Sequence, residues 1–291
     1  MSAAALRAPL LFTALLAVLP AAAFAQVPAP SPAPTPVPDI CSTGLSAVVS
    51  RPTETTSACT VAPNQVLIET GYQSQTVDVA RGSFTFQSVP NATIRIGTAL
   101  PGIEVQVLPP TLLRSSGVSA TGDAGLGLKW QMASSPAFAY GINAIVTAAT
   151  GSNPRLTANG LGSAGASTYV MNLNLQGALN SVFGYGAGLG IQNLAAPTGV
   201  SGEMRYISTV PSIDITAALP AAWAIAVEAY HDSNGEGPST PGHLWLDAAL
   251  EKDIGKAQFD VSYGISNRVA PAPGAPGIQR HYVGFGLSYG F

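Results

Sequence analysis

Charged side chains are scarce in this chain, and their scarcity sets the first limit on its fold. Only 9% of the 291 residues are Asp, Glu, Lys or Arg, whereas a soluble globular domain carries roughly 25%. Yet beyond the N-terminal region no apolar run reaches the length of about 18 residues that a transmembrane helix needs. The hydrophobic residues, 47% of the chain, must therefore alternate with polar ones. Because only helices and closed barrels satisfy their backbone in lipid, this alternation predicts a transmembrane β-barrel.

Other shortages argue against further classes of function. The formal net charge is −3 and there is no basic stripe, so we expect no nucleic-acid partner. The chain has 3 histidines and none has a second histidine at a ligand spacing, so we expect no metal site. The glycines of residues 184–190 alternate within a predicted strand, whereas a phosphate-binding loop needs them between a strand and a helix. We therefore expect no cofactor.

Residues 1–25 have the pattern of an export signal. Arg7 precedes an apolar stretch from Leu10 to Ala23, and Ala23-Phe24-Ala25 fits an A-x-A cleavage site. We predict a secretory signal peptide over residues 1–25. With the predicted barrel, it indicates the outer membrane of a Gram-negative bacterium.

Residues 26–64 differ in composition from the rest of the chain. They include the Pro-rich sequence VPAPSPAPTPVP at residues 27–38, which is typical of an extended linker. They also contain both cysteines, Cys41 and Cys59. In an oxidising periplasm this pair is expected to form one disulfide that closes a small loop, and a metal site is disfavoured because no histidine lies nearby. We predict a periplasmic segment here, or a partial plug of the barrel.

From residue 65 to residue 291 the hydrophobic pattern has period two, which predicts an antiparallel barrel of about twelve strands. The last strand is the clearest, because apolar residues from Val283 to Phe291 alternate with glycine and serine. Short turns alternate with Gly/Pro/Ser-rich loops, an asymmetry typical of outer-membrane barrels; the loops are predicted near residues 110–121, 149–165, 192–202, 232–241 and 267–279. Tyr289 and Phe291 resemble the C-terminal signal that such barrels present to the insertion machinery. We expect that machinery and outer-membrane lipid as partners.

The charged residues of the predicted barrel fall in the inward phase of its strands. Those on the early strands are Glu69, Arg95, Glu104 and Lys129, and an acidic stripe on the later strands comprises Asp214, Glu228, Asp247 and Asp260. Buried charges are costly unless they are paired. One interpretation is a structural network that pins the barrel interior. The other is a polar constriction that selects solutes, in which the acidic stripe would disfavour anions.

Residues 231–235, His-Asp-Ser-Asn-Gly, resemble the active-site segment of outer-membrane phospholipase A. His231 and Ser233 share the lipid-facing phase, and a histidine can act as the general base for a serine. Against catalysis, residues 242–250 contain no asparagine to orient the histidine. Asp, Ser, Asn and Gly are also the usual residues of surface turns. We therefore expect no enzyme and keep a lipid hydrolase as an alternative.

Three stretches are similar to the outer-membrane family named after the MetA pathway of phenol degradation. They are VLIETGY, with Glu69-Thr70-Gly71; ATIRIGTALPGIEVQV continuing into GDAGLGLKW, with Arg95, Glu104, Asp123 and Lys129; and QFDVSYGISNRVAP followed by VGFGLSYGF. The resemblance spans residues 66–291 but not the long N-terminal region. It implies a porin-like transporter that passes small solutes, aromatic or hydrophobic ones among them, by passive diffusion. The alternatives are the lipid hydrolase and a structural or adhesive barrel whose loops carry the function.

Overall fold

The computed structural model describes residues 39–152, 165–197, 203–234, 241–270 and 274–291. The predicted signal peptide (1–25), the Pro-rich linker (27–38) and parts of four predicted loops lie outside these residues. In the described part of the chain, no helix is long and apolar enough to cross a membrane.

Fifteen β-segments form one antiparallel sheet in the described residues, and this sheet closes on itself. They are β1 (Val66–Val79), β2 (Gly82–Val89), β3 (Thr93–Gly97), β4 (Ile103–Leu108), β5 (Leu112–Ser115), β6 (Val118–Thr121), β7 (Ala124–Ser134), β8 (Phe138–Ala148), β9 (Thr168–Ala178), β10 (Phe183–Pro197), β11 (Glu203–Leu219), β12 (Trp223–His231), β13 (Leu244–Ile254), β14 (Ala257–Ser266) and β15 (Gln279–Gly290). The last segment pairs with the first, from Leu67 opposite Gly290 to Asp78 opposite Gln279. This seam closes the sheet into a barrel.

Three strands of the barrel are interrupted, so the fifteen segments make twelve strands. β2 and β3 both pair with β1 and are separated at Pro90, while β4 and β5 are separated at Pro109 and Pro110. Proline has no backbone N–H to donate to the ladder, which explains these two breaks. β6 and β7 are separated by Gly122 and Asp123. The prediction of a twelve-stranded antiparallel barrel is confirmed.

Two regions predicted as external loops are largely strand. Residues 110–121 contain the hairpin of β5 and β6, which turns at Ser116 and Gly117 and pairs with β2. Within the predicted loop 192–202, β10 and β11 remain paired as far as Pro197 opposite Glu203. The loop prediction was wrong at these places because a ladder that extends beyond the lipid no longer needs an apolar outer side. In such a stretch of the ladder apolar and polar residues no longer alternate, while the backbone hydrogen bonds between the strands continue.

The two faces of the barrel wall differ as a lipid environment requires. Large apolar side chains project from the outer face, among them Leu128, Trp130 and Val227, and the inner face carries small and polar residues. Tyr289 and Phe291 also lie on the outer face, with their ring centroids 4.8 Å apart. An apolar exterior around a polar interior is the arrangement of a barrel embedded in a membrane.

A positive charge on the outer face should be costly according to its depth. Val227 lies in the middle of β12, so Val227→Arg should lower the free energy of unfolding by about 2–4 kcal/mol. Ile254, at the end of β13, should tolerate Ile254→Arg at a cost of about 0–1 kcal/mol, because arginine there can reach the interface. Reversible guanidinium unfolding in phospholipid vesicles measures both. Equal costs at the two positions would contradict the placement of Val227 in lipid.

Candidate functional site

Residues 39–64, here called the lumen segment, lie against the inner face of the barrel. A short helix, α1 (Leu45–Val48), follows a single 3₁₀ turn, and the rest of the segment is irregular. Ala58 and Cys59 have no exposed surface. A disulfide joins Cys41 to Cys59 and closes the segment into a loop. Of the two locations considered for this segment, the structure shows it inside the barrel.

The lumen segment has little regular secondary structure, so its backbone N–H groups need other partners. Side chains of the wall accept them: Glu69 from Ser50 (2.7 Å), Glu104 from Val61 (2.8 Å), Gln131 from Thr60 (3.0 Å) and Gln176 from Ala58 (2.7 Å). Glu228 accepts two, from Glu54 (2.7 Å) and Thr55 (2.6 Å). Hydrogen bonds to charged groups contribute about 1.5–3 kcal/mol each. Side chains of the wall therefore bind the backbone of the lumen segment at several positions around the barrel.

Arg95 on β3 connects the wall to both arms of the disulfide loop. Its guanidinium donates to Glu104 through Nε (2.6 Å) and Nη2 (2.9 Å), and to Glu69 through Nη1 (3.1 Å). The same group donates to the carbonyl oxygens of Val48 (2.6 Å) and Cys59 (3.1 Å). Arg95 has no exposed surface. Nη1 also donates to Ser50 Oγ (3.1 Å), so a single buried cation joins two wall carboxylates to three residues of the lumen segment.

The structure places every predicted lumen residue on the inner face. Glu69, Arg95, Glu104, Lys129, Asp214, Glu228, Asp247 and Asp260 are each at most 7% exposed. Lys129 lies opposite Glu104 in the register of β7 and β4. Its Nζ has no hydrogen-bond partner among the described residues. Lys129 is therefore near the network of Arg95 without being hydrogen-bonded to it.

Three carboxylates of the acidic stripe form a row across the wall. Asp214 is directly opposite Glu228, which is directly opposite Asp247. Like charges opposite each other on neighbouring strands are destabilising. A glycine lies beside each end of the row. A Cβ at Gly186 would lie 1.9 Å from an oxygen of Asp214, and a Cβ at Gly264 would lie 2.2 Å from an oxygen of Asp247. These glycines leave room for the outer two acids, and backbone N–H groups of the lumen segment offset the charge of the middle one.

The inner face also has glycines where the lumen segment approaches it. A Cβ at Gly97 would lie 1.9 Å from the carbonyl oxygen of Ala62, and one at Gly141 would lie 2.9 Å from that of Ala58. These contacts were not predicted from the sequence, and neither were the roles of Arg51, Gln131 and Gln176, which join the segment to the wall. The sequence indicated these contacts only through the glycines that fall in the inward phase of their strands.

The lumen segment separates two cavities inside the barrel. The cavity toward the long connections, here called the external cavity, has a volume of about 380 Å³ and is lined by Tyr230, Asp247 and Tyr282 of the wall. The cavity toward the short turns, here called the periplasmic cavity, has a volume of about 270 Å³ and is lined in part by Asp214 and Glu251. Their names follow the usual orientation of outer-membrane barrels. Residues of the segment that line both cavities are Arg51, Thr53 and Thr56.

Two charged side chains of the lumen segment face different partners. Arg51 Nε lies 3.6 Å from Asp260 Oδ2. Glu54 borders the external cavity, and part of its side chain is exposed there. Burial raises the pKa of Glu54 to about 7, and the carboxylates of Glu228, Asp247 and Asp232 add to the rise. Around neutral pH Glu54 is therefore only partly ionised.

The geometry around His231 and Ser233 does not support the hydrolase alternative. His231 is exposed on the outer face. Ser233 Oγ accepts a hydrogen bond from the N–H of Thr209 (2.8 Å), and the Ser233 N–H donates to the carbonyl of Thr209 (3.0 Å). No hydrogen bond joins His231 to Ser233 in the part of the chain described. Ser233 extends the β11–β12 pairing instead of facing a general base.

Comparison with known proteins gives a fold and no family. No family profile matches the sequence, and no curated protein matches it. Among solved structures, the chain is similar to the COG4313 outer membrane channel from Pseudomonas putida F1, with 13% identity over 82% of this chain and 99% of that chain and a TM-score of 0.60. The NanC porin matches with 9% identity, 76% and 98% coverage and a TM-score of 0.49. The first similarity and the apolar exterior together establish the fold of an outer-membrane β-barrel.

Removal of the Glu228 carboxylate should free the part of the lumen segment that it holds. In Glu228→Ala, backbone amide exchange at Glu54 and Thr55 should accelerate by about 10- to 100-fold, the equivalent of roughly 1.5–3 kcal/mol. Hydrogen–deuterium exchange of the refolded barrel in micelles measures this change. Val227→Ala, one residue away on the outer face, is the matched control and should leave these amides protected. Unchanged exchange in Glu228→Ala would contradict the docking role of Glu228.

Loss of Arg95 should lower the free energy of unfolding of the whole barrel. Arg95→Ala leaves Glu69 and Glu104 buried without their cation, and breaking a buried pair in this way costs about 3–5 kcal/mol. Arg95→Lys keeps the charge but not the planar group that reaches both carboxylates, so we expect it to restore only part of the loss. Denaturant unfolding in vesicles separates the three proteins. Full stability in Arg95→Lys would show that the charge alone suffices.

Proposed function

We propose that this chain is an outer-membrane channel for small solutes, in which the lumen segment controls passage. The observation that carries the proposal is the pair of cavities on either side of Arg51, Thr53 and Thr56. Eight-stranded barrels are filled by their own side chains, whereas barrels of 16–18 strands leave an aqueous channel. A twelve-stranded barrel lies between these cases. Here the lumen segment and the two cavities occupy the space, and a shift of the segment would connect the cavities.

Two similarities support this proposal and suggest its solutes. The Pseudomonas putida protein of similar fold is described as an outer membrane channel. The sequence motifs of residues 66–291 resemble the family of the MetA pathway of phenol degradation, which implies passive diffusion of small aromatic or hydrophobic molecules. An occupied lumen suits such a role because it restricts the free flow of water and ions.

The charged lumen residues take two roles in the proposal. Glu69, Arg95 and Glu104 hold the lumen segment, and Lys129 adds a buried positive charge beside them. Asp214, Glu228, Asp247 and Asp260 disfavour anions along the later strands. The division of the chain belongs to the same proposal: residues 1–25 direct export, residues 26–64 lead from the periplasm into the barrel, and residues 65–291 form the wall. Tyr289 and Phe291 present the C-terminal strand to the insertion machinery.

A structural or adhesive barrel is the competing function, and conductance distinguishes it from a channel. We expect the whole chain in a planar bilayer to show small, intermittent single-channel currents. Removal of residues 26–64 should give steady currents that are several-fold larger, because the segment no longer divides the lumen. Glu228→Ala, which keeps the whole chain, should lengthen the open periods, with Val227→Ala as its control. Silence of all three folded proteins would contradict the channel.

A further inference from the structure

We propose that the external cavity binds organic cations, namely a quaternary or alkyl-substituted ammonium group held by Asp247, Glu54 and the aromatic side chains of Tyr230 and Tyr282. The inference adds organic cations to the aromatic or hydrophobic solutes of the proposed channel. It rests on the proposed function only for the route by which a cation would reach the cavity. The binding site itself requires only the folded barrel.

Three aromatic side chains meet on the inner face beside the external cavity. Tyr230 and Trp245 are stacked, with ring centroids 5.7 Å apart and planes 7° from parallel. Trp245 lies 6.1 Å from Tyr282. Gly264, on the strand between them, makes this approach possible, because a Cβ there would lie 2.3 Å from the ring of Tyr282. Aromatic faces attract ammonium groups, and quaternary ammonium ligands are commonly recognised by sets of aromatic rings.

The carboxylate of Asp247 is buried beside these rings with one oxygen unused. Tyr282 Oη donates to Asp247 Oδ2 (2.6 Å). Asp247 Oδ1 has no hydrogen-bond partner among the described residues, although Asp247 is only 7% exposed. Asp247 lines the external cavity, and its buried carboxylate keeps a negative charge that a cation in the cavity would offset.

The charges that line the external cavity are not balanced by the protein. Glu54, Glu69 and Asp247 line it, together with Arg51. Glu69 is paired with Arg95, and Arg51 faces Asp260. Glu54 and Asp247 are therefore left without a cation in the part of the chain that the structure describes. A positively charged solute would supply it.

The surroundings favour an organic cation over a metal ion. Among the described residues, no three His, Cys, Asp or Glu side chains are grouped to hold a metal. A volume of about 380 Å³ lies in the range of cavities that bind small organic ligands. The two uncompensated acids and the tyrosine rings suit a charge surrounded by apolar groups, for which desolvation is less costly than for a small metal ion.

Equilibrium binding to the refolded whole chain in nanodiscs tests the proposal. Choline is the probe, 3,3-dimethylbutan-1-ol is its uncharged isostere, and calcium chloride tests for a metal site; isothermal titration calorimetry measures binding. We expect choline to bind saturably and the isostere not to bind. Asp247→Asn should weaken choline binding by about tenfold. Glu251→Gln, the same loss of charge on the same strand but in the periplasmic cavity, should change it less than about twofold.

The pH dependence gives a second readout. Choline does not titrate, and its binding favours the ionised form of Glu54, whose pKa is raised to about 7. Affinity should therefore rise between pH 6 and pH 8, and Glu54→Gln should make this rise smaller. The groups that face Glu54 are Glu228, Asp247 and Asp232 of the wall, with Tyr230 and Tyr282 near them. Because Glu54 is outside the barrel strands, this variant also serves if Asp247→Asn fails to fold.

The outcomes separate the binding site from the channel. Equal binding of choline and its isostere, an unchanged affinity in both Asp247→Asn and Glu54→Gln, or displacement of choline by calcium at lower concentration would each overturn the proposal. Currents without choline binding would leave the channel intact and remove the cation site. Choline binding without currents would leave the site intact and remove the channel.

Discussion

The buried guanidinium of Arg95 is the constraint around which the interior of this barrel is arranged. A cation without access to water must be surrounded by fixed acceptors, and Arg95 finds them in two wall carboxylates and two carbonyl groups of the lumen segment. Those carboxylates, Glu69 and Glu104, in turn accept backbone N–H groups of the segment. The wall and the segment therefore satisfy each other's polar groups, and neither interior surface is complete alone. The disulfide between Cys41 and Cys59 closes the loop that contains most of these contacts.

On the opposite side of the lumen, near β11–β13, the charge of the wall is offset in a different way. There the wall carries an excess of acid, and the segment offsets it with backbone N–H groups and with Arg51. Glycines on the inner face make room for both partners, as Gly186 does for Asp214 and Gly97 for the carbonyl of Ala62. The segment is thus held tightly at the β3–β4 side and more openly near β11–β13. The periplasmic cavity and the uncompensated carboxylates lie on this more open side, and the external cavity extends from it to β1 and β3.

The repeating parts of the structure could be predicted from the sequence. Lipid imposes period two on every strand, so the strand number and the inward phase of Arg95 or Asp247 could be predicted from alternation alone. The projecting hairpin of β5 and β6 was missed, because outside the lipid the same ladder carries no apolar signal. The lumen segment has no period at all. Its contacts depend on the register of distant strands, so nothing local in residues 50–60 indicates that Thr55 meets Glu228. The pairing of Arg51 with Asp260 is unpredictable for the same reason.

The place of the lumen segment in the chain determines how the barrel can be assembled. The segment leads directly into β1, and β1 is also one side of the seam that closes against the C-terminal strand. The seam cannot form until β15 is present, whereas the disulfide of the segment spans only 18 residues, all of them before β1. A cross-linked loop enters a narrow, finished pore less readily than an open sheet curls around it. Closure of the seam between β1 and β15 therefore encloses a segment whose own cross-link is local in sequence.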